Sequence, residues 1–197
     1  MQGILTILIA GIFTDNFILS RFLGVCPFLG VSKRLDTSAW MGLAVTFVML
    51  LATAVTYPLH AYILLPLGLG FLQTIVFILI IAALVQLLEI ILKKYLPILH
   101  RALGIYLPLI TTNCAVIGVT LLHFSQGYNY MEALIHAIAS GIGFLIAMVM
   151  FAGVRSRLDT CNVPKSLQGL PITLIAASIM SLSFMGLAGI ADGLFNR

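Results

Sequence analysis

Charged side chains are scarce in this chain. They make up 8% of its 197 residues, where a soluble domain carries about 25%. That scarcity excludes a water-soluble globular fold. With ten Lys and Arg against six Asp and Glu, it also leaves too few charges for a nucleic-acid groove. Cysteine is nearly absent as well, and three cysteines cannot build a disulfide framework. Polar stretches long enough for a separate soluble domain are missing. Met1-Gln2-Gly3 lacks the basic opening of a secretory signal, so none is expected. What fills the chain instead is apolar: 61% hydrophobic residues and a mean hydropathy of +1.17. This is the composition of an integral membrane protein.

A hydrocarbon core of about 30 Å takes roughly 20 apolar residues to cross as helix. Six such spans are expected, at about 4–31, 39–58, 71–92, 102–122, 132–154 and 170–191. The runs are continuous rather than alternating, which argues for helices and against barrel strands. The fold class is therefore all-α, one membrane domain over residues 1–197. Loops one, three and five carry Lys33, Arg34, Lys93, Lys94, Arg101, Arg155, Arg157 and Lys165, eight of the ten basic residues. Loops two and four carry none. The positive-inside rule makes the odd loops cytoplasmic and sends both termini outward.

Two of the three cysteines open the same short pattern. Cys26-Pro27-Phe28-Leu29-Gly30-Val31 and Cys114-Ala115-Val116-Ile117-Gly118-Val119 are both Cys-x-x-x-Gly-Val, 88 residues apart. They fall in the first and fourth spans. Three spans per half is an odd number, so residues of roughly 1–95 and 96–197 form inverted repeats, and an in-plane pseudo-twofold brings the two cysteines together near the midplane. Both host spans are expected to break. Gly24 and Pro27 interrupt the first, and Gly104, Pro108 and Thr111-Thr112-Asn113 the fourth. Pro27 suits the first turn of a new helix, and Thr112 or Asn113 suits an N-cap. Each cysteine then stands near a half-helix N-terminus, where amide dipoles favour negative charge.

Zinc and iron–sulfur sites usually take four ligands, and the chain supplies two in the right place. His60, His100, His123 and His136 all fall at or near span boundaries and are expected at the interface. Cys161 sits in the polar loop Arg155–Asn162 and is expected to be an ordinary reduced thiol. A disulfide between Cys26 and Cys114 is possible on these grounds but explains neither the symmetry nor the breaks. A second copy or a related partner could supply the missing ligands. Asp15, Arg21 and Glu89 are the ionisable candidates for an ion path, although Asp15 and Arg21 could equally pair with one another. Three classes stay open at this point: a redox subunit with half a cluster site, an inverted-repeat secondary transporter, and a scaffold with buried thiols.

The stretches Arg21–Ser32, Leu107–Ala115 and Met180–Gly186 closely resemble the A subunits of the Rnf complex. That family is itself similar to the D and E subunits of the sodium-translocating NADH:quinone reductase. The resemblance covers essentially the whole chain, with no departure at the cysteine motifs. It implies a six-helix subunit of the bacterial cytoplasmic membrane. Its expected partner is the homologous E subunit, of opposite orientation, beside the B, C, D and G subunits that carry flavins and further iron–sulfur centres. It also implies that Cys26 and Cys114 ligate a [2Fe–2S] cluster shared with that E subunit. The implied activity of the whole complex is electron transfer between ferredoxin and NAD⁺, coupled to Na⁺ or H⁺ transport.

Overall fold

The computed structural model describes residues 8, 11–12, 16–32, 34–68, 70–95 and 107–195. Among these residues every regular element is helical. Helix α1 covers Val25–Val31, α2 Leu35–Leu59, α3 Gln73–Tyr95 and α4 Leu107–Thr111. Helix α5 covers Cys114–Ser125, α6 Tyr130–Leu158 and α7 Leu170–Phe195. Among the described residues three stretches are long and apolar enough to cross a membrane: Leu35–Leu64, Gly70–Ile91 and Tyr130–Leu158. They coincide with the second, third and fifth expected spans. Leu109–Ser125 and Leu170–Gly186 are shorter apolar helical stretches, and much of the first expected span lies outside the described residues.

Helices α2 and α6 form the largest helix–helix interface among the described residues, and small residues set their separation. A Cβ on Gly141 would stand 2.5 Å from Thr46 Cγ2, and one on Gly42 would stand 3.0 Å from the Cα of Leu145. Helices packed this closely gain dispersion contacts that lipid does not offer. Met41, Val45, Met49, Phe144, Met148 and Phe151 fill the seam and are fully buried. The outer faces are apolar too, with Trp40, Leu43 and Phe47 of α2 and Leu79 and Ile90 of α3 exposed. Faces of that kind suit lipid or neighbouring proteins rather than water.

Local chemistry explains where the helices begin and end. Asn129 and Glu132 make a reciprocal capping box that starts α6. Arg155 and Arg157 lie in its last turn, where cations complement the carbonyl end of the dipole. The second span, expected at about 39–58, continues as helix beyond Pro58. Pro58 lies inside α2, and the chain continues through a π-helical turn, His60–Leu64, to a final turn at Leu65–Leu67. A proline removes one intrahelical hydrogen bond, and the wider π turn absorbs the misfit without ending the helix. Gly68 does end it, at φ 65°.

The segment before α1 is unwound. Residues 17–21 form turns, Leu23 donates its N–H to the Phe17 carbonyl at 2.7 Å, and Phe22 takes a positive φ of 55°. Bare backbone inside a membrane protein needs partners, and Asn16 supplies several. Its Nδ2 donates to Gly143 O at 2.9 Å and Ile12 O at 3.4 Å, and its Oδ1 accepts from the N–H groups of Ile18 and Leu19. Ser181 Oγ of α7 donates to Leu19 O. Gly143 permits this approach, because a Cβ there would stand 3.0 Å from the carbonyl oxygens of Gly11 and Ile12.

A candidate half-site for an intramembrane cluster

Two helix starts build the site. Cys114 is the first residue of α5, and its N-cap is Asn113, whose Oδ1 accepts from the Ala115 N–H at 3.0 Å. Cys26 is the second residue of α1, with Gly24 as N-cap and Pro27 in the first turn. Capping residue and proline both fall where the sequence places them. The starts then meet: the Gly24 N–H donates to Cys114 Sγ at 2.8 Å. Two residues of chain reach at most about 7 Å, so the Cys26 backbone lies within about 10 Å of that sulfur. Neither thiol is in a disulfide.

Gly24 is needed for this contact. Its φ is 84°, and a Cβ would fall 2.7 Å from Phe144 Cε2, 3.1 Å from Ala115 Cβ and 3.2 Å from Asn113 Oδ1. The two copies of the pattern present their residues alike in part. Val31 and Val119 are both buried, whereas Cys26 is exposed and Cys114 half-buried. Their glycines differ. Gly30 faces open space one turn from Cys26, while a Cβ on Gly118 would stand 2.6 Å from Leu23 Cδ1. The face beside Gly30 is therefore open to a neighbour, and that beside Gly118 is closed by this chain's own unwound segment.

Helix α6 holds the short Cys26 helix from its far end. The Arg155 guanidinium donates to Leu29 O at 2.7 Å and Ser32 Oγ at 2.9 Å. The Phe28 and Phe151 rings stack at 4.0 Å between centroids and 21° between planes. A cation on the last carbonyls of a helix complements its dipole. A seven-residue helix is too short to be stable alone, so these contacts fix where Cys26 stands.

The donor set fits half of an iron–sulfur site. Two unbridged thiols stand on helix starts joined by the Gly24 contact, an amide N–H points at one sulfur, and no group of three or more His, Cys, Asp or Glu that could hold a metal occurs among the described residues. Asn113 is buried, and its Nδ2 has no hydrogen-bond partner among the described residues. Cys161 lies apart, exposed after α6, with its Sγ on Arg157 O at 3.4 Å. Of the ion-path candidates, Arg21 is exposed in the unwound segment, Glu89 is half-buried on α3, and Asp15 lies outside the described residues.

Two of the histidines expected near span boundaries stand near helix ends and are packed inside the protein. His123 and His136 are 1% and 2% exposed, and His123 Nε2 lies 3.0 Å from His136 Nδ1 in a hydrogen bond. The tight turn between α5 and α6 folds the two rings together, so each satisfies the other in the interior. His60 is half-buried, with its ring against Phe124 at 3.9 Å. His100 is outside the described residues.

Comparison with known proteins decides the family. The model described as "Rnf-Nqr subunit, membrane protein" matches residues 4–191. The chain belongs to the Rnf-Nqr family of membrane subunits. The Rnf-Nqr protein is 57% identical over 187 residues to the A subunit of the Na⁺-translocating ferredoxin:NAD⁺ oxidoreductase complex of Acetobacterium woodii, covering 95% of this chain and 97% of that one. It is 50% identical over 193 residues to the A subunit of an ion-translocating oxidoreductase complex of Syntrophotalea carbinolica, covering 98% and 100%. The corresponding protein of Edwardsiella ictaluri is 47% identical over 190 residues, covering 96% and 98%.

Proposed function

We propose that this Rnf-Nqr protein contributes Cys26 and Cys114 to a [2Fe–2S] cluster inside the membrane, the other two thiolates coming from a homologous E subunit. The observation that carries the reading is the meeting of the two helix starts, with Gly24 N–H on Cys114 Sγ and both thiols unbridged. The exposed Cys26 beside the open face at Gly30 supports a partner protein approaching from that side. Six spans in two inverted repeats, with both termini outside the cytoplasmic membrane, give the partner a matching half-site of opposite orientation.

Cys26 and Cys114 would hold half of the cluster, which when bound would supply one-electron transfer partway across a barrier of about 30 Å. The chain's own residues do the rest. Arg155 and the Phe28–Phe151 stack orient the helix that carries Cys26. Phe144, Val116 and Val119, all fully buried, keep the interior apolar. Added negative charge in such a surround is costly, which favours entry of a compensating cation. That cost would link electron flow to Na⁺ or H⁺ movement in a complex working between ferredoxin and NAD⁺, of the kind that the A. woodii relative's name describes.

The test is made on the whole complex in membrane vesicles. Cys26→Ser and Cys114→Ser complexes are each expected to lose the iron–sulfur signal of the membrane pair. Electron transfer and ion transport are expected to fall at least tenfold with it. Ion pumping at wild-type rate by an assembled complex without that signal would sink the coupling. A wild-type pair that contains no iron would favour a transporter without a redox centre.

A further inference from the structure

We propose that the groove between α6 and α7 holds one anionic phospholipid, an acyl chain lying along the groove and the phosphate on the Arg157 guanidinium. The groove has a volume of about 620 Å³ and is open on its outer side, where Met150 and Val154 are exposed. Met150, Gly153, Val154 and Arg157 line it from α6, and Ser183 and Phe184 from α7. The four α6 residues stand at i, i+3, i+4 and i+7, so they form one stripe along that helix. Its apolar part ends at a cation, about 10 Å of helix rise from Met150 to Arg157. The α7 wall offers no loose polar group, because the Ser183 hydroxyl turns back onto Ile179 O at 3.0 Å.

Gly153 keeps the groove open. Other glycines of α6 admit a close neighbour: a Cβ on Gly141 would stand 2.5 Å from Thr46 Cγ2, and one on Gly143 would stand 3.0 Å from the Gly11 and Ile12 carbonyl oxygens. Nothing lies within 4 Å of the Cβ position of Gly153. Among the described residues α7 also touches α6 far less than α2 does. The missing side chain leaves room for a guest rather than for a packed helix.

Arg157 decides what kind of guest fits. Its side chain is exposed, and its guanidinium makes no hydrogen bond or ion pair among the described residues. Only its carbonyl is engaged, by Thr160 and Cys161. Arg155, two residues earlier, points about 200° away round the helix, where Leu29 O and Ser32 Oγ hold it. The two arginines serve different faces, and the groove lies away from the helix that carries Cys26. A hydrocarbon chain suits the apolar stripe, and a phosphate takes two parallel hydrogen bonds from a guanidinium. An apolar helix from another protein would fill the stripe but cover an unpaired cation, which is costly. A zwitterionic lipid brings its own ammonium to compete for the phosphate. On the orientation proposed above, Arg157 stands at the cytoplasmic surface, where anionic headgroups gather beside juxtamembrane cations.

The test is lipid binding to the purified complex, stripped of endogenous lipid and titrated with phosphatidylglycerol or phosphatidylcholine. Native mass spectrometry counts the lipids bound. The wild-type complex is expected to hold one phosphatidylglycerol about tenfold more tightly than phosphatidylcholine. Arg157→Gln is expected to abolish that preference, and Arg157→Lys to retain part of it. Gly153→Leu is expected to weaken both lipids by filling the groove. Lys93→Gln removes the same charge from the last turn of α3 and is expected to change nothing. A preference that survives Arg157→Gln would overturn the proposal. So would an equal loss in Lys93→Gln, which would make the preference a diffuse effect of surface charge. Gly153→Leu binding both lipids like wild type would put the chain outside the groove. No preference in the wild-type complex would leave the groove to a neighbouring protein and overturn the proposal as well. None of these results depends on iron, so the cluster reading stands or falls separately.

Discussion

Gly24→Ala is expected to cost the protein about 2–5 kcal/mol and to empty the half-site. Two effects add. A residue with a Cβ held at φ 84° suffers roughly 1–2 kcal/mol of backbone strain. That Cβ would also stand 2.7 Å from Phe144 Cε2 and 3.1 Å from Ala115 Cβ, and overpacking of a closed interior adds about 1–3 kcal/mol. Phe144 is fully buried in the seam with α2, so its ring has nowhere to swing. The chain must move instead, and the Gly24 N–H leaves Cys114 Sγ. Gly68 is the control: its φ of 65° gives similar strain, but nothing lies within 4 Å of its Cβ position. Gly68→Ala should therefore show only the smaller, conformational loss and keep its iron. Thermal melting and iron analysis of the purified pair check both. A Gly24→Ala pair that melts like wild type with full iron would contradict the geometry.

Asn16→Ala is expected to loosen the same corner from the other side. The substitution removes the donor to Gly143 O and Ile12 O and the acceptor for Ile18 and Leu19. Backbone groups stripped of partners in an apolar interior cost about 1–3 kcal/mol each, and their sum is not additive. A net loss of about 2–5 kcal/mol lowers the melting temperature by roughly 4–20 °C in a chain of this size. Asn16→Asp should not rescue it, since a carboxylate accepts but cannot donate to Gly143 O and would bury a charge. A shift under about 1 °C for the Ala variant would mean that the unwound segment is held by packing alone.

The parts of this site that are legible in the sequence rest on strictly local chemistry. Glycine in a left-handed cap, asparagine before a helix start and proline in a first turn each act within a few residues. Gly24, Asn113 and Pro27 do what their types suggest. The π turn after Pro58 is harder to read, because a proline in a long apolar run is compatible with both an end and a kink. The remaining features depend on which residues the folded chain brings together. Arg155 reads as one more cytoplasmic charge, yet it reaches 126 residues back to Leu29 O. His123 and His136 read as boundary residues, and only the turn between α5 and α6 makes them partners. The orphaned NH₂ of Asn113 has no sequence signal at all, because a missing partner is a property of the packed interior.

The proposed cluster takes half of its ligands from this chain and half from a homologous partner. Iron and acid-labile sulfide analysis, on the protein purified by itself and together with its homologous partner, tests that most directly. Two iron and two sulfide per pair, with none in this chain by itself, is the predicted result. A pair free of iron and sulfide, or a complete cluster in this chain without its partner, would contradict it.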